Sequence, residues 1–346
     1  MTRDEQRITA VAGTLVLAYG IHPAEVTQIP AGTATFNYRV TGRDGEQWFA
    51  KVYRDRTLVE QERAAVELSE FARGGHLPVP PVCRTQEGDL VEVRGRLPMS
   101  LWPFVPHAQT AEGNVTGARW AAVGTVVGHL HRRLAEHPTA GPSLRPGSAV
   151  CDVGKARIRF ERLVAEYRRK PQLTAFETWA LEAARERQPL LEQVDQILTR
   201  LPELTVQVPH GDLASPNVLL DGDEVAAIVD FQPPRPRYLS WEIARIGCDP
   251  RGVLAQSPDT WLAGLVQLAL AYREANPKVS VEDLVSTVRV GCAAMLTSTY
   301  PLSAPIKEPD TVDAALESYG RSRHAAALVL LGRLNEMEEA LRDCLC

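Results

Sequence analysis

Long apolar runs are missing from this sequence. None approaches the roughly 18–20 residues that a membrane-spanning helix needs, so no membrane partner is expected. A strong charge of one sign is missing too: 38 Lys and Arg stand against 43 Asp and Glu, a net of −5, which gives no electrostatic footprint for nucleic acid. Cysteine is sparse, 6 in 346 residues, and Cys83, Cys151, Cys248, Cys292, Cys344 and Cys346 lack the spacing of a disulfide framework. Reduced thiols are the expectation, and the Cys-Leu-Cys ending alone is a weak metal signal. Lysine is scarce as well, 5 against 33 arginines, which makes each lysine unusually informative. No internal repeat or low-complexity tract interrupts the chain. The opening "MTRDEQRITAVAGTLVLAYG" reads as an amphipathic helix closed by Gly20 rather than a secretory signal, so the expected address is cytoplasmic.

What is present is enough apolar material for large cores, 45% hydrophobic and 23% charged residues, in a chain too long for one compact core. The period of the apolar pattern changes along it. In "QIPAGTATFNYRVTGRDGEQWFAKVYR" the runs Tyr38–Thr41 and Trp48–Tyr53 are β-rich, and Asp44-Gly45 between them is a hairpin signal. "TLVEQERAAVELSEFARGG" reads as a helix stopped by Gly74 and Gly75, and after the proline-rich "HLPVPPV" the stretch "LVEVRGRLPMSLWPFV" looks like two further strands. From about Pro106 onward the pattern is mainly helical, including "GARWAAVGTVVGHLHRRLAEH" and two long charged helices over about 152–200. A β lobe (1–105) joined to a larger helical lobe (106–346), with a cleft between them, is the expected organisation.

Within the second half, "VPHGDLASPNVLLDGDEVAAIVDF" sets His210, Asp212, Asn217 and Asp230 among apolar runs. Val218–Leu220 and Val225–Val229, around a turn at Asp221-Gly222-Asp223, form a hairpin pattern that brings Asn217 and Asp230 together. Amide and carboxylate oxygens are hard ligands suited to Mg²⁺, which takes few protein ligands plus phosphate oxygens. An Asp and an Asn four residues apart in between, then Asp-Phe after a short hairpin, is the order of a kinase catalytic and metal-binding segment. Singly, each signal has another reading: Asp212 and Asn217 fit an Asx turn, Asp230 a cap, Lys51 an exposed strand charge. The kinase reading accounts for all of them in order.

The forms "HGD", "NVLL" and "IVDF" resemble the aminoglycoside phosphotransferase and choline kinase-like family, which also contains homoserine kinases, and "GTATFNYRV" resembles the phosphate loop of the homoserine-kinase-like branch. The resemblance spans about residues 10–300 and implies an α+β, protein-kinase-like two-lobed fold with a small antiparallel β N-lobe and a larger, mainly helical C-lobe. It also implies ATP or GTP as phosphoryl donor, Mg²⁺ as the metal, and a small hydroxylated molecule as acceptor. Asp212 is then the catalytic base, and Asn217 and Asp230 the metal ligands. Lys51 reaches the α and β phosphates; Glu62, which a 3.6 period puts with Val59, Ala65, Val66 and Ser69 on the inward side of its helix, is its partner. Gly32, Thr33, Ala34 and Thr35 would cover the phosphates, although no full G-x-G-x-x-G is present, and the base would hang from Pro103, Phe104 and Val105. Glu60, Arg63, Glu67 and Glu70 form the solvated stripe of the same helix. His210 reads as a structural residue of the catalytic loop, His131 as packing beside Gly128, and Glu242 as an acceptor supporting the catalytic loop.

The acceptor stays open. Residues 245–346 carry 13 acidic against 10 basic residues, too mild an excess to define a pocket for polycationic aminoglycosides. An amino-acid alcohol would find a carboxylate partner in Arg235, Arg237 or Arg245, and a nucleoside or peptide antibiotic remains open as well. The absence of an extended activation segment between Phe231 and Trp241 argues against protein substrates. A nucleotide-binding pseudokinase or adaptor is the alternative of another class, but its usual sign, loss of the lysine, the base or the metal aspartate, is not present.

Overall fold

The computed structural model describes residues 3–30, 35–54, 59–94 and 97–346. Two compact units emerge. Unit 1 gathers Met1–Gln109, His210–Asp212 and Asn217–Pro234, and unit 2 the remainder. The segment carrying Asp212, Asn217 and Asp230, expected with the helical lobe, therefore packs with the N-terminal sheet.

In unit 1, helix α1 (Arg3–Thr14) runs into a wider turn, Leu15–Tyr19, and stops at Gly20, whose φ of +69° few other residues adopt. Strands β1 (Pro23–Ile29), β2 (Thr35–Gly42), β3 (Gln47–Tyr53) and β4 (Met99–Pro103) form an antiparallel sheet in sequence order. The β2–β3 turn uses Gly45 at φ +88°, as the Asp-Gly pair predicts. Alternation along β3 divides the two faces. Ala50 and Val52 join Val11, Leu15, Tyr38, Val40, Met99 and Leu101 in a core under α1, while Tyr53, on the side of Lys51, packs with Val59 and Val66 of α2 (Val59–Arg73) and with Val82 and Val91. Each fully buried Val or Leu contributes about 1.5–3 kcal/mol, which anchors α2 over the Lys51 face. Of the two strands expected before Pro103, the described residues form only β4; Glu92 pairs with Met99 as an isolated bridge, and the Arg94 N–H turns to the Glu92 carboxylate instead of extending a ladder.

A short β5 (Gln109–Thr110) follows. In unit 2, α3 (Arg119–Leu134) packs on α8 (Pro258–Ala275) at glycine positions; a Cβ on Gly128 would lie 2.6 Å from the Tyr272 carbonyl oxygen. The strands β6 (Ser143–Pro146), β7 (Glu203–Gln207) and β10 (Arg237–Tyr238) make a small sheet in the order β10-β7-β6 that the apolar pattern does not announce. Helices α4 (Val153–Arg169) and α5 (Ala175–Thr199) fill the charged stretch, α5 opening on a Thr174–Glu177 capping box. From α6 (Leu239–Gly247) the chain is helical to α13 (Leu334–Leu345), interrupted by short turns around residues 301–311. The hairpin β8 (Val218–Asp221) and β9 (Glu224–Ile228), turning at Gly222 with φ +57°, belongs to unit 1. Among the described residues no helix is long and apolar enough to cross a membrane.

Candidate active site

Lys51 sits in the middle of β3, paired with Asn37 of β2 on one side and Ser100 of β4 on the other, which fixes its height on the sheet. Its ammonium lies 2.5 Å from Asp230 Oδ1 and 3.7 Å from Glu62 Oε2, with the Lys51 side chain only 15% exposed. The structure thus contains the Lys51–Glu62 pair that helix periodicity suggests, but the closer partner is Asp230. Burial by itself would favour the neutral amine; Asp230, Tyr53 and Glu62 outweigh it and hold Lys51 well above the ordinary lysine range. For Glu62, burial raises the carboxyl and Lys51 offsets this only in part, with Asp230 adding to the rise. Tyr53, whose ring lies 5.9 Å from Lys51 Nζ and whose hydroxyl pairs with Ser100, is pushed up to about 12 by burial.

Asp230 follows β9 with φ +66°, a left-handed conformation uncommon outside glycine. Its surroundings over-determine it. The Val229 N–H donates to Asn217 O at 3.0 Å, joining the two ends of the hairpin, and the Gln232 N–H donates to His210 O at 3.0 Å. His210 is fully buried: Nε2–H donates to Val229 O at 3.0 Å, and Nδ1 accepts the Asp212 N–H at 3.2 Å, so both ring nitrogens are used and the neutral tautomer is specified. Phe231 packs on that imidazole, ring centroids 4.1 Å apart. Gly211 has φ +90°, and a Cβ there would meet Gln232 Cβ at 2.7 Å.

The Asn217 amide nitrogen donates to Asp212 O at 2.8 Å and lies 3.4 Å from Asp212 Oδ2. This assigns the ends of the amide, with Oδ1 as its acceptor. Asp212, Asn217 and Asp230 thereby offer carboxylate and amide oxygens with no thiolate or available imidazole among them. That donor set fits a hard divalent cation completed by phosphate oxygens; among the described residues no cluster of three or more His, Cys, Asp or Glu would hold a metal by itself.

Gly32, Thr33 and Ala34 lie outside the described residues. Thr35 opens β2, nearly buried, with its hydroxyl donating to Asn37 Oδ1 at 3.0 Å. Pro103 ends β4, and Phe104 N–H is already given to Gln47 O at 2.9 Å, which removes it as a donor to a base. In unit 2, His131 does more than pack: Nδ1 meets the Tyr272 hydroxyl at 2.8 Å and Nε2 meets Glu242 at 2.9 Å, both partners buried. One partner of Glu242 is this histidine. Arg237 and Arg245 both stand 5.0 Å from the Trp241 ring. Two residues escaped the sequence reading. Gly211 had no signal beyond its place in "HGD", and Glu70, assigned to the solvated stripe, instead accepts the Val82 N–H at 3.0 Å.

An antiparallel sheet bearing a carboxylate-held lysine, with an Asp-Asn loop and an Asp-bearing hairpin beside it, defines a kinase-like phosphotransferase. The model of the phosphotransferase enzyme family matches residues 25–278, and the chain belongs to that family. It is a small-molecule kinase that transfers a phosphoryl group to a hydroxyl acceptor. Among curated proteins it is similar to homoserine kinase of Pseudomonas aeruginosa, 25% identical over 76% of this chain and 77% of that protein. Homoserine kinase of Zymomonas mobilis is 24% identical over 62% of each chain. Among solved structures it is similar in fold to a spectinomycin phosphotransferase in complex with ADP and spectinomycin, with a TM-score of 0.66 at 15% identity, covering 93% of this chain and 98% of that one. An amicoumacin kinase in complex with AMP-PNP, Ca²⁺ and its antibiotic gives 0.61 at 15% identity, covering 95% and 96%.

Proposed function

We propose that the protein moves the γ-phosphoryl group of ATP or GTP to a hydroxyl of a small molecule, with Mg²⁺ as the metal, in the cytoplasm. The observation that carries this reading is the convergence on one ammonium of Asp230 at 2.5 Å and Glu62 at 3.7 Å, in the unit that also holds Asp212 and Asn217. Adenine nucleotides bound to two solved structures of the same fold support the donor class.

Lys51 contacts the α and β phosphates, and Glu62 keeps its ammonium aimed as the nucleotide arrives. Asp212 accepts a hydrogen bond from the acceptor hydroxyl, fixing the oxygen's approach to the γ-phosphorus. The proton passes to the Asp212 carboxylate as the new P–O bond forms and the bond to the bridging oxygen breaks, releasing the nucleoside diphosphate. Because the transition state is loose, positioning and charge neutralisation carry most of the acceleration. Asn217 and Asp230 would hold the divalent cation, which when bound would neutralise phosphate charge. The backbone of Pro103 and Val105 would receive the base; of the residues expected to cover the phosphates, only Thr35 lies among the described ones.

Two acceptor classes have specific support. Spectinomycin, amicoumacin and macrolide kinases among proteins of the same fold favour an antibiotic alcohol and a role in resistance. The homoserine kinases among the curated relatives favour an amino-acid alcohol. The deciding experiment incubates the protein with Mg²⁺, ATP or GTP and a pooled panel of antibiotics, homoserine, choline and related amino alcohols, and reads products by mass. A product heavier by one phosphoryl group, absent with Asp212→Asn, establishes reaction and acceptor together. Nucleotide binding without any product across the panel rejects both acceptor classes.

A further inference from the structure

Glu62 and Asp230 reach one ammonium from two elements of the same unit, helix α2 and the end of hairpin strand β9. Their spacing depends on whatever joins α2 to β9. The proline-rich stretch 76–82, "HLPVPPV", follows α2 and has no part in the chemistry above. It is tied on both sides. Toward α2, Glu70 Oε1 accepts the Val82 N–H at 3.0 Å, and the same carboxylate takes Arg73 Nε at 3.1 Å and Nη2 at 2.9 Å. Toward the hairpin, Pro78 O accepts the N–H of Ile228, two residues before Asp230, at 2.7 Å. Leu77, Val79 and Val82 are buried, and Pro78, Pro80 and Pro81 restrict the backbone between them.

We propose that residues 76–82 form a strut that sets Glu62 and Asp230 around Lys51, and that Glu70 is its positioning residue; this rests on the reading that those three side chains handle the nucleotide phosphates and the metal. The apolar contacts of Val59 and Val66 hold α2 on the sheet but are non-directional and tolerate a small roll about the helix axis. A charged acceptor on a backbone N–H is directional and stronger than a neutral bond. It lies two turns beyond Glu62 on the same helix, so it stops the roll that would swing Glu62 away from Lys51. The peptide linked to Ile228 carries the same constraint to Asp230. Displacements of about 1 Å at reacting groups cost up to about a hundredfold in rate, so such a constraint has kinetic weight.

The test compares Glu70→Leu, Glu70→Asp, Glu70→Gln and Arg73→Met. Glutamine keeps an oxygen that can accept from Val82; aspartate keeps the charge but withdraws it by one methylene. Two readouts are taken: amide exchange at Ile228, and KM for MgATP beside KM for the acceptor. The leucine and aspartate variants are expected to lose Ile228 protection and to raise the KM for MgATP by roughly three- to thirtyfold, with the acceptor KM unchanged. Glutamine and Arg73→Met are expected to stay near wild type in both. If Glu70→Leu does not fold, the aspartate and glutamine pair decides. Wild-type Ile228 exchange and KM for MgATP in the leucine or aspartate variant overturn the strut, even if Tm falls. Failure of the wild-type enzyme to transfer phosphate removes the functional reading instead, and the exchange measurement still decides the mechanical one.

Discussion

The Lys51 ammonium meets the Asp230 carboxylate at 2.5 Å, closer than it meets its helix partner Glu62 at 3.7 Å. Asp230 reaches that position through a left-handed backbone at φ +66°, in a segment pinned by Asn217, His210 and Gln232. If Asp230 also holds the divalent cation, as proposed above, lysine and metal draw on the same carboxylate.

Competition for Asp230 has a measurable sign. In Lys51→Met the carboxylate loses its internal cation, so Mg²⁺ titrated into nucleotide-free protein should bind roughly tenfold or more tightly, the worth of one charged hydrogen bond. Affinity for the triphosphate should fall at the same time. An unchanged Mg²⁺ titration, followed by calorimetry, would separate Asp230 from the metal.

Asp212→Asn should lower kcat by about 10²–10⁴, the usual contribution of a positioned base. Its bond to His210 and its shorter bond to Asn217 run through the Asp212 backbone, and only the longer 3.4 Å contact with Asn217 uses the carboxylate, so fold and nucleotide affinity should survive. Full turnover in this variant assigns the proton to another group.

Gly128→Ala tests the helical unit independently of chemistry. The added Cβ would sit 2.6 Å from the Tyr272 carbonyl and 2.8 Å from Ala275 Cβ. Overpacking of this kind costs about 1–3 kcal/mol, so thermal denaturation should show a lower Tm. A wild-type Tm would mean that α3 and α8 can part at no cost.

Acid sensitivity should report on Glu70. Burial raises its carboxyl, but Arg73 and the Val82 N–H outweigh that and hold it below the ordinary carboxylate value. A depressed carboxyl in the fold contributes stability above the unfolded value of about 4.3 and loses it as pH falls through the folded one. Glu70→Gln should therefore flatten the stability–pH curve below about pH 4.3 relative to wild type. Parallel denaturation midpoints for the two proteins across that window would contradict the assignment.

Legibility in the sequence followed locality. The β2–β3 and β8–β9 hairpins were readable because Asp-Gly turns and alternation are local properties, and so was α2 with its Gly74-Gly75 stop. Lys51, Asp212, Asn217 and Asp230 stand out in the sequence through the order of their residue types, and unit 1 holds all four. Three things were not readable. The closeness of Lys51 to Asp230 depends on how the hairpin packs against the sheet, which periodicity does not encode. Glu70 looked like a surface charge because its partner is a backbone N–H, invisible to any residue pattern. The β6–β7–β10 sheet joins three segments of two to five residues, each too short to display a period.

Unit 1 is assembled from chain stretches that are not continuous, and that has a consequence in time. Lys51 and Asp230 are 179 positions apart. At roughly 5–20 residues per second on the ribosome, about ten to forty seconds pass between the synthesis of one and the other. Lys51 therefore leaves the ribosome well before the carboxylate that lies nearest to it in the finished fold, and no single cut in the finished polypeptide can release unit 1 whole.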